Sequence, residues 1–306
     1  MASDPKELVV ISGKGGTGKT SIVASLAALA SKAVLADCDV DAADLHLVLE
    51  PEVIRRESFS GGKRSRILPD RCTACGRCAE LCRFDAIRAE TPTDPATRAV
   101  FRIDPIACEG CGVCAWFCPA DAVEFASVVN GEWYVSDTRY GPMVHAKLGI
   151  AEENSGKLVS TVRREADAIA RRDDLELILV DGSPGTGCPV VASITGADLV
   201  LIVTEPTLSG LHDLERVAEV ARHFGITGMV CVNKWDLNPE IADKIERQAR
   251  QRGLVTAGRV RYDRAVTDAQ IRRQSIVEFR QDGCAEDIRQ VWSVVRDALE
   301  KSGPGR

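Results

Sequence analysis

Two groups of residues in this 306-residue chain have types and spacings that do chemistry. The first is Gly13-Lys14-Gly15-Gly16-Thr17-Gly18-Lys19-Thr20, which satisfies the P-loop pattern. Its glycines let successive backbone N–H groups converge on phosphate oxygens, and a helix N-terminus there adds partial positive charge. Lys19 is expected to reach the β- and γ-phosphates and Thr20 to offer its hydroxyl to Mg2+, with Ser21 closing the nucleotide-binding set. The second group is Cys72, Cys75, Cys78, Cys82 and then Cys108, Cys111, Cys114, Cys118, the same two, two, three spacing twice over. Thiolates so spaced suit iron–sulfur clusters, whereas zinc sites are usually built from two separated pairs, so iron–sulfur ligation is expected. Ala74, Gly76, Gly110 and Gly112 are small enough to let the chain wrap closely around each set.

The elements that must carry these residues are legible from periodicity. An apolar run at 6–11 precedes the glycine loop, and Ile22, Val23, Leu26 and Leu29 recur at helical spacing after it. A second buried strand at 33–36 leads into the acidic residues Asp37, Asp39, Asp41 and Asp44. Ser58, Ser60, Gly61 and Gly62 read as a linker, and the cysteine-rich segment follows. Alternation then resumes, with helices at 158–171, 211–223, 239–251 and 285–299 and strands at 175–180, 199–204, 229–233 and 254–259. The segment from Gly141 to Lys147 and from Glu152 to Lys157 is polar and reads as a loop, with a lone His145. The fold expected is α/β, a mainly parallel P-loop sheet with helices on both faces. Residues 1–62 and 127–306 form that domain, and 63–126 an inserted α+β domain.

Bulk properties narrow the setting. A net charge of -6 gives no broad basic surface, so no nucleic-acid partner is expected. The weakly polar stretch 21–36 is broken by Ser25, Ser31 and Lys32, so no membrane insertion is expected either, and with no leader the chain reads as cytoplasmic. The remaining cysteines, Cys38, Cys188, Cys231 and Cys284, are scattered.

The early second lysine, Lys14, resembles the deviant P-loop of the MinD, ParA, Mrp and nitrogenase-iron-protein superfamily. The resemblance implies an ATP-binding homodimer, or a heterodimer with a paralogue, in which Lys14 crosses to the partner's nucleotide. It assigns Asp39 to the attacking water, Asp37 and Asp181 to Mg2+, and Gly182-Ser183-Pro184-Gly185-Thr186-Gly187 to the second switch. Lys14, Lys19 and Asp39 then form the catalytic set. Asn233, Lys234 and Asp236 resemble the base-recognition loop. The same Asn-Lys-x-Asp pattern also fits guanine-reading GTPases, so GTP stays open beside ATP.

The cysteine runs, with Pro119 after Cys118, resemble bacterial two-cluster ferredoxins, in which the fourth cysteine of each run serves the other cluster. The resemblance implies one [4Fe-4S] cluster on Cys72, Cys75, Cys78 and Cys118 and a second on Cys82, Cys108, Cys111 and Cys114. Arg83 stands where the first run would usually have proline. Cys188, by its offset from Asp181, resembles the dimer-axis cluster ligand of the nitrogenase iron protein. The functions implied are ATP-gated electron transfer to a redox partner, metal-cluster assembly with a cluster-receiving partner, or positioning and scaffolding. A C-terminal Cys-x-x-Cys typical of Mrp-type carriers is absent, because Cys284 stands alone.

Overall fold

The computed structural model describes residues 4–90, 100–149 and 155–302. In chain order, β1 (Lys6–Ser12), α1 (Lys19–Leu29) and β2 (Ala33–Asp37) are followed by α2 (Leu45–Leu49), β3 (Glu52–Phe59) and β4 (Gly62–Ile67). Next come α3 (Arg77–Leu81), β5 (Ile87–Glu90), β6 (Val100–Ile103), α4 (Val113–Trp116) and β7 (Val123–Val128). A hairpin of β8 (Gly131–Thr138) and β9 (Gly141–Leu148) leads into α5 (Ser155–Arg172) and β10 (Leu177–Pro184). The chain continues through α6 (Cys188–Ile194), β11 (Leu199–Thr204), α7 (Leu208–His223) and β12 (Thr227–Asn233). After a 3-10 turn at Trp235–Leu237 come α8 (Pro239–Gln251), β13 (Val255–Val260), α9 (Ala265–Ile271), α10 (Ile276–Phe279) and α11 (Cys284–Lys301).

One sheet orders nine of these strands as β13-β12-β11-β1-β10-β2-β9-β8-β3. From β13 to β9 every neighbouring pair is parallel. Strands β1, β10 and β11 each contain a continuous apolar run, at 8–11, 177–180 and 199–203, buried on both faces as central parallel strands must be. Helix α1 is apolar almost all round, with Ile22, Val23, Ala24, Ser25, Leu26 and Ala27 buried in succession, so it lies inside the layer rather than on it. Helix α8 starts with Asn238 capping Ile241 N–H and Pro239 in its first turn, where a missing N–H is harmless.

The fold differs from a mainly parallel sheet plus a ferredoxin domain in two respects. The sheet is mixed: β8 and β9 are neighbours joined by only Arg139 and Tyr140, a link that an antiparallel pair alone can use. The segment from Gly141 to Lys147, expected as a loop, is strand β9, whose Met143 and Val144 register with Leu35 and Ala36 of β2. Of the expected linker, Ser58 lies in β3 and Gly62 opens β4, while Ser60 and Gly61 join the two strands. Residues 152–154 of the expected loop and the tail beyond residue 302 lie outside the described residues.

The chain divides into two compact units, one of Met1–Glu57, Glu132–Lys147 and Ser155–Arg306, the other of Ser58–Gly131 and Leu148–Asn154. The smaller unit has two antiparallel pairs, β4–β7 and β5–β6, with the short helices α3 and α4. Its eight thiols fall into two fours: Cys72, Cys75, Cys78 and Cys118 line one small cavity, and Cys82, Cys108, Cys111 and Cys114 another. The expectation of two [4Fe-4S] clusters is nevertheless corrected, and with it the ferredoxin domain and the electron-transfer role. Among the described residues, no group of three or more His, Cys, Asp or Glu side chains is disposed to hold a metal ion. Ligation needs deprotonated thiols converging on one point. Here Cys75 and Cys111 are exposed while Cys72 and Cys114 are buried, so the thiols of each four lie in unlike surroundings.

The hairpin carries a strongly perturbed histidine. His145 is half-buried, stacked on Tyr134 at 5.0 Å between ring centroids, with Nε2 2.8 Å from Ser136 Oγ. Burial, helped by the nearby His46, pushes its pKa down to about 4. The unfolded chain, with an ordinary histidine, takes up a proton first as pH falls, so this contribution is full above about pH 6.5 and is lost between about 6.5 and 4. Its size is on the order of 3 kcal/mol. His145→Asn is expected to flatten the acid limb of a denaturant-unfolding curve in that window. An unchanged slope would show that His145 is not the group responsible.

Candidate nucleotide site

The site lies where open α/β sheets place ligands, beyond the carboxyl ends of their parallel strands. The glycine loop leaves β1 and enters α1, and Asp37 ends β2. Asp181 lies within β10, and Asn233 ends β12. Together the loop, the segment after β2 and the chain around β13 and α9 enclose a cavity of about 460 Å³, within the usual range for small-molecule sites. Two glycines are required sterically. A Cβ on Gly13 would lie 2.2 Å from Cβ of Asp213, and Gly18 has φ +87 with Asn233 Nδ2 only 2.3 Å from where its Cβ would be.

Lys19 is the electrostatic centre. Its Nζ lies 2.5 Å from Asp181 Oδ1 and 3.3 Å from Asp39 Oδ2, with 6% of its side chain exposed. Burial works against its charge, but Asp181, Asp39 and Asp37 outweigh that and raise its pKa. The carboxylates respond in kind. Burial, then the charge of Asp181, pushes Asp37 well above the usual carboxylate range, with Lys19 opposing. Asp39 is raised by burial, again against Lys19. Asp39 N–H donates to Asp37 Oδ1 at 3.2 Å, Cys38 N–H to Asp181 O at 2.8 Å, and Ser183 Oγ to Cys38 O at 2.7 Å. These bonds join the segments after β2 and within β10 into one acidic floor.

Magnesium fits this floor. Asp37 Oδ2 and Asp181 Oδ2 are buried without a hydrogen-bond partner, which a buried oxygen tolerates poorly unless something else engages it. Thr20 lines the same cavity. Thr20, Asp37 and Asp181 would hold the ion, directly or through water, and the ion would neutralise charge on the terminal phosphates.

Lys14 lies apart from this floor. Its Nζ is 2.5 Å from Glu205 Oε1 and 3.1 Å from Ser209 Oγ, at a partly exposed rim. Lys234 Nζ braces the loop from the other side, donating to Gly16 O at 3.0 Å and lying 3.4 Å from Glu205 Oε2. Asn233 Nδ2 donates to Thr17 O at 2.7 Å. Asp236 is placed differently: it does not line the cavity, and its Oδ1 accepts from Tyr262 N–H at 2.6 Å. Cys188 is exposed at the start of α6. Cys38, Cys231 and Cys284 are buried, and burial pushes Cys231 and Cys284 each up to about 12. Sequence motifs gave no hint of Arg261, Tyr262, Asp263, Val266, Thr267 and Gln270, which line the far half of the cavity. No recognisable phosphate or metal pattern marks them; only their position after the last strand does.

A P-loop running from a parallel strand into a buried helix, facing a floor of aspartates, defines a phosphate-binding nucleotide site. Known proteins give it a family. The CobQ/CobB/MinD/ParA nucleotide binding domain matches residues 8–276. The chain is 36% identical over 241 residues to an uncharacterized protein, MJ0578, of Methanocaldococcus jannaschii, covering 76% of this chain and 79% of that one. The fold resembles the septum site-determining protein MinD of Pyrococcus horikoshii complexed with Mg-ADP, with TM-score 0.57 and 15% identity over 98% of this chain and 99% of that one. It also resembles the MinC:MinD cell division complex of Aquifex aeolicus, with TM-score 0.54 and 16% identity over 95% and 96% of the two chains. The chain belongs to the CobQ/CobB/MinD/ParA nucleotide-binding family and carries its P-loop ATPase domain. Among the described residues no helix is long and apolar enough to cross a membrane.

Proposed function

We propose that the protein is a nucleotide-driven positioning or scaffold ATPase, a switch that assembles with a protein partner in one nucleotide state and releases it in another. The observation that carries this reading is the division of labour between its two P-loop lysines. Lys19 is buried among Asp39 and Asp181, where incoming phosphates would replace carboxylates as its partners. Lys14 is held at the rim by Glu205 and Ser209, partly exposed and so within reach of a second chain. Such a lysine supports a homodimer, or a heterodimer with a paralogue, with ATP and Mg2+ between the chains. Nucleotide binding would bias the acidic floor, because Asp39 and Asp181 lose their cation to the phosphates and must find new partners. MinC:MinD of Aquifex aeolicus is a complex of such an ATPase with another protein, which supports a protein partner for this chain as well.

Sedimentation of the full chain with Mg2+ and either ADP or a non-hydrolysable ATP analogue tests the reading. The analogue is expected to double the mass and ADP to leave it monomeric, while Lys14→Ala stays monomeric in both. An identical mass in every nucleotide state, with ATP hydrolysis intact, would overturn it.

A further inference from the structure

Arg139 sits in the two-residue turn between β8 and β9, far along the chain from any motif. Its guanidinium is partly buried and makes five hydrogen bonds. Nε donates to Glu278 Oε1 at 3.0 Å, and Nη1 to Leu49 O at 3.2 Å. Nη2 shares its two hydrogens among Val48 O at 3.2 Å, Arg273 O at 3.0 Å and Glu278 Oε2 at 3.1 Å. The group also lies over the Tyr140 ring, 4.6 Å from its centroid.

The acceptors are chain ends that local structure leaves unsatisfied. Val48 and Leu49 close α2, whose five residues cannot pair their last carbonyls internally. Arg273 follows the end of α9 with φ +56. Glu278 caps α10, accepting from Ser275 N–H at 2.7 Å and Ser275 Oγ at 2.8 Å. A second bridge runs alongside, the Arg273–Glu50 ion pair.

These ends belong to two segments that both wall the nucleotide cavity. On one side Asp39, Ala42 and Asp44 line the cavity and lead straight into α2. On the other, Val266, Thr267 and Gln270 of α9 and Ile276 of α10 line it. Arg139 is thus a strut across the outside of both walls, while β9, on the same hairpin, registers with the strand that ends in Asp37.

We propose that Arg139 is a positioning residue for nucleotide binding, fixing the separation of the cavity walls without touching nucleotide. This rests on the cavity being the nucleotide site. A planar fork with five donors can serve four acceptor groups at once; an ammonium cannot. The binding geometry is therefore set by a residue of the hairpin that brings the chain back into the sheet, and the loss is felt in the ground state.

Steady-state ATP hydrolysis by the full chain, run at several ATP concentrations for wild type, Arg139→Ala, Arg139→Lys and Glu278→Gln, tests this. Arg139→Ala is expected to raise KM for ATP about tenfold, with turnover at saturation changed less than about twofold. Arg139→Lys should recover little of the loss, and Glu278→Gln should give an intermediate KM. A merely structural role would instead lower the folded fraction, reducing apparent kcat while leaving KM alone, and that result would overturn the proposal. If Arg139→Ala does not fold, the KM values of the lysine and glutamine variants decide in the same way. A wild-type protein that failed to hydrolyse or bind ATP would defeat the nucleotide-site reading itself, an outcome distinct from either result for Arg139.

Discussion

Replacing Lys19 with alanine is expected to lower ATP turnover by at least about a hundredfold, and also to destabilise the nucleotide-free protein. The first effect follows from losing the cation that would meet charge developing on the transferred phosphoryl group, a preorganised contact of a kind whose removal costs about 10²–10³ in rate. The second follows from what surrounds the lysine. Asp181 is buried outright, Asp39 nearly so, and Asp37 lies close enough to feel Lys19. Removing one partner of a buried ion pair leaves carboxylates uncompensated, at a cost of about 3 kcal/mol or somewhat more. They relieve that cost by binding protons, and Asp37 and Asp39 already have raised pKa values. The folded variant therefore binds protons more readily than the unfolded chain, so its deficit should shrink as pH falls. Chemical denaturation at two pH values reads the stability, and phosphate release reads the turnover. Adding Asp181→Asn to the variant should restore much of the stability and none of the turnover, which separates electrostatic strain from lost chemistry. Near-normal turnover by Lys19→Ala would sink the assignment.

The same site shows what the chain's residue order reveals and what it conceals. The P-loop, the buried strands and helix α8 are legible because local rules agree on them. An apolar run meets glycines that only a phosphate cradle needs, and Asn238-Pro239 opens a helix. Asp37 and Asp181 are legible because each sits at or near the end of a buried strand, where a carboxylate has no business in a core. The hairpin of β8 and β9 is not legible. Gly141, Pro142 and Lys147 carry loop chemistry, and the strand pairs only because Met143 and Val144 find Leu35 and Ala36 more than a hundred residues away. Strand β3 is hidden for a related reason. Its Arg- and Glu-rich face is exposed at the edge of the sheet, where charge guards against further pairing but erases the apolar alternation. The far wall of the cavity is invisible for a third reason: Tyr262 and Gln270 reach it through the turn fixed by Asp236 and the contact of Gln270 Nε2 with Ser21 Oγ at 2.9 Å, neither of which leaves a local pattern. The cysteine repeat teaches the converse. Its spacing carried the strongest local signal in the chain and did sort the thiols into two fours. Spacing fixes which thiols can become neighbours; it does not fix whether they converge as ligands.

Asp39→Asn is expected to lower hydrolysis by about 10²- to 10⁴-fold, the range for removing a general base, while ATP affinity stays within about threefold of wild type. Asparagine keeps the shape of aspartate and its capacity to accept from Lys19, so the cradle should survive. What it cannot do is take a proton from water. The alternative role for Asp39, simply holding Lys19 3.3 Å away, makes a different forecast: affinity and turnover would fall together. Charge strengthens the contrast. Three carboxylates crowd one lysine in the nucleotide-free protein, so neutralising Asp39 should relieve Asp37 and Asp181 and leave triphosphate binding equal or tighter. Wild-type turnover should carry the same signature in its pH profile. Burial raises the Asp39 pKa, and a base must be unprotonated to act, so hydrolysis should fall with acidity in a limb that begins above the ordinary aspartate range. The variant's small residual rate should lack that limb. Because it binds without hydrolysing, Asp39→Asn should also remain dimeric in ATP and Mg2+ for as long as nucleotide is bound, whereas the wild type returns to monomer as ATP is consumed. Equilibrium ATP binding, phosphate release across pH and sedimentation over time measure the three outcomes, and a parallel loss of affinity and turnover would assign Asp39 to holding Lys19 rather than to the water.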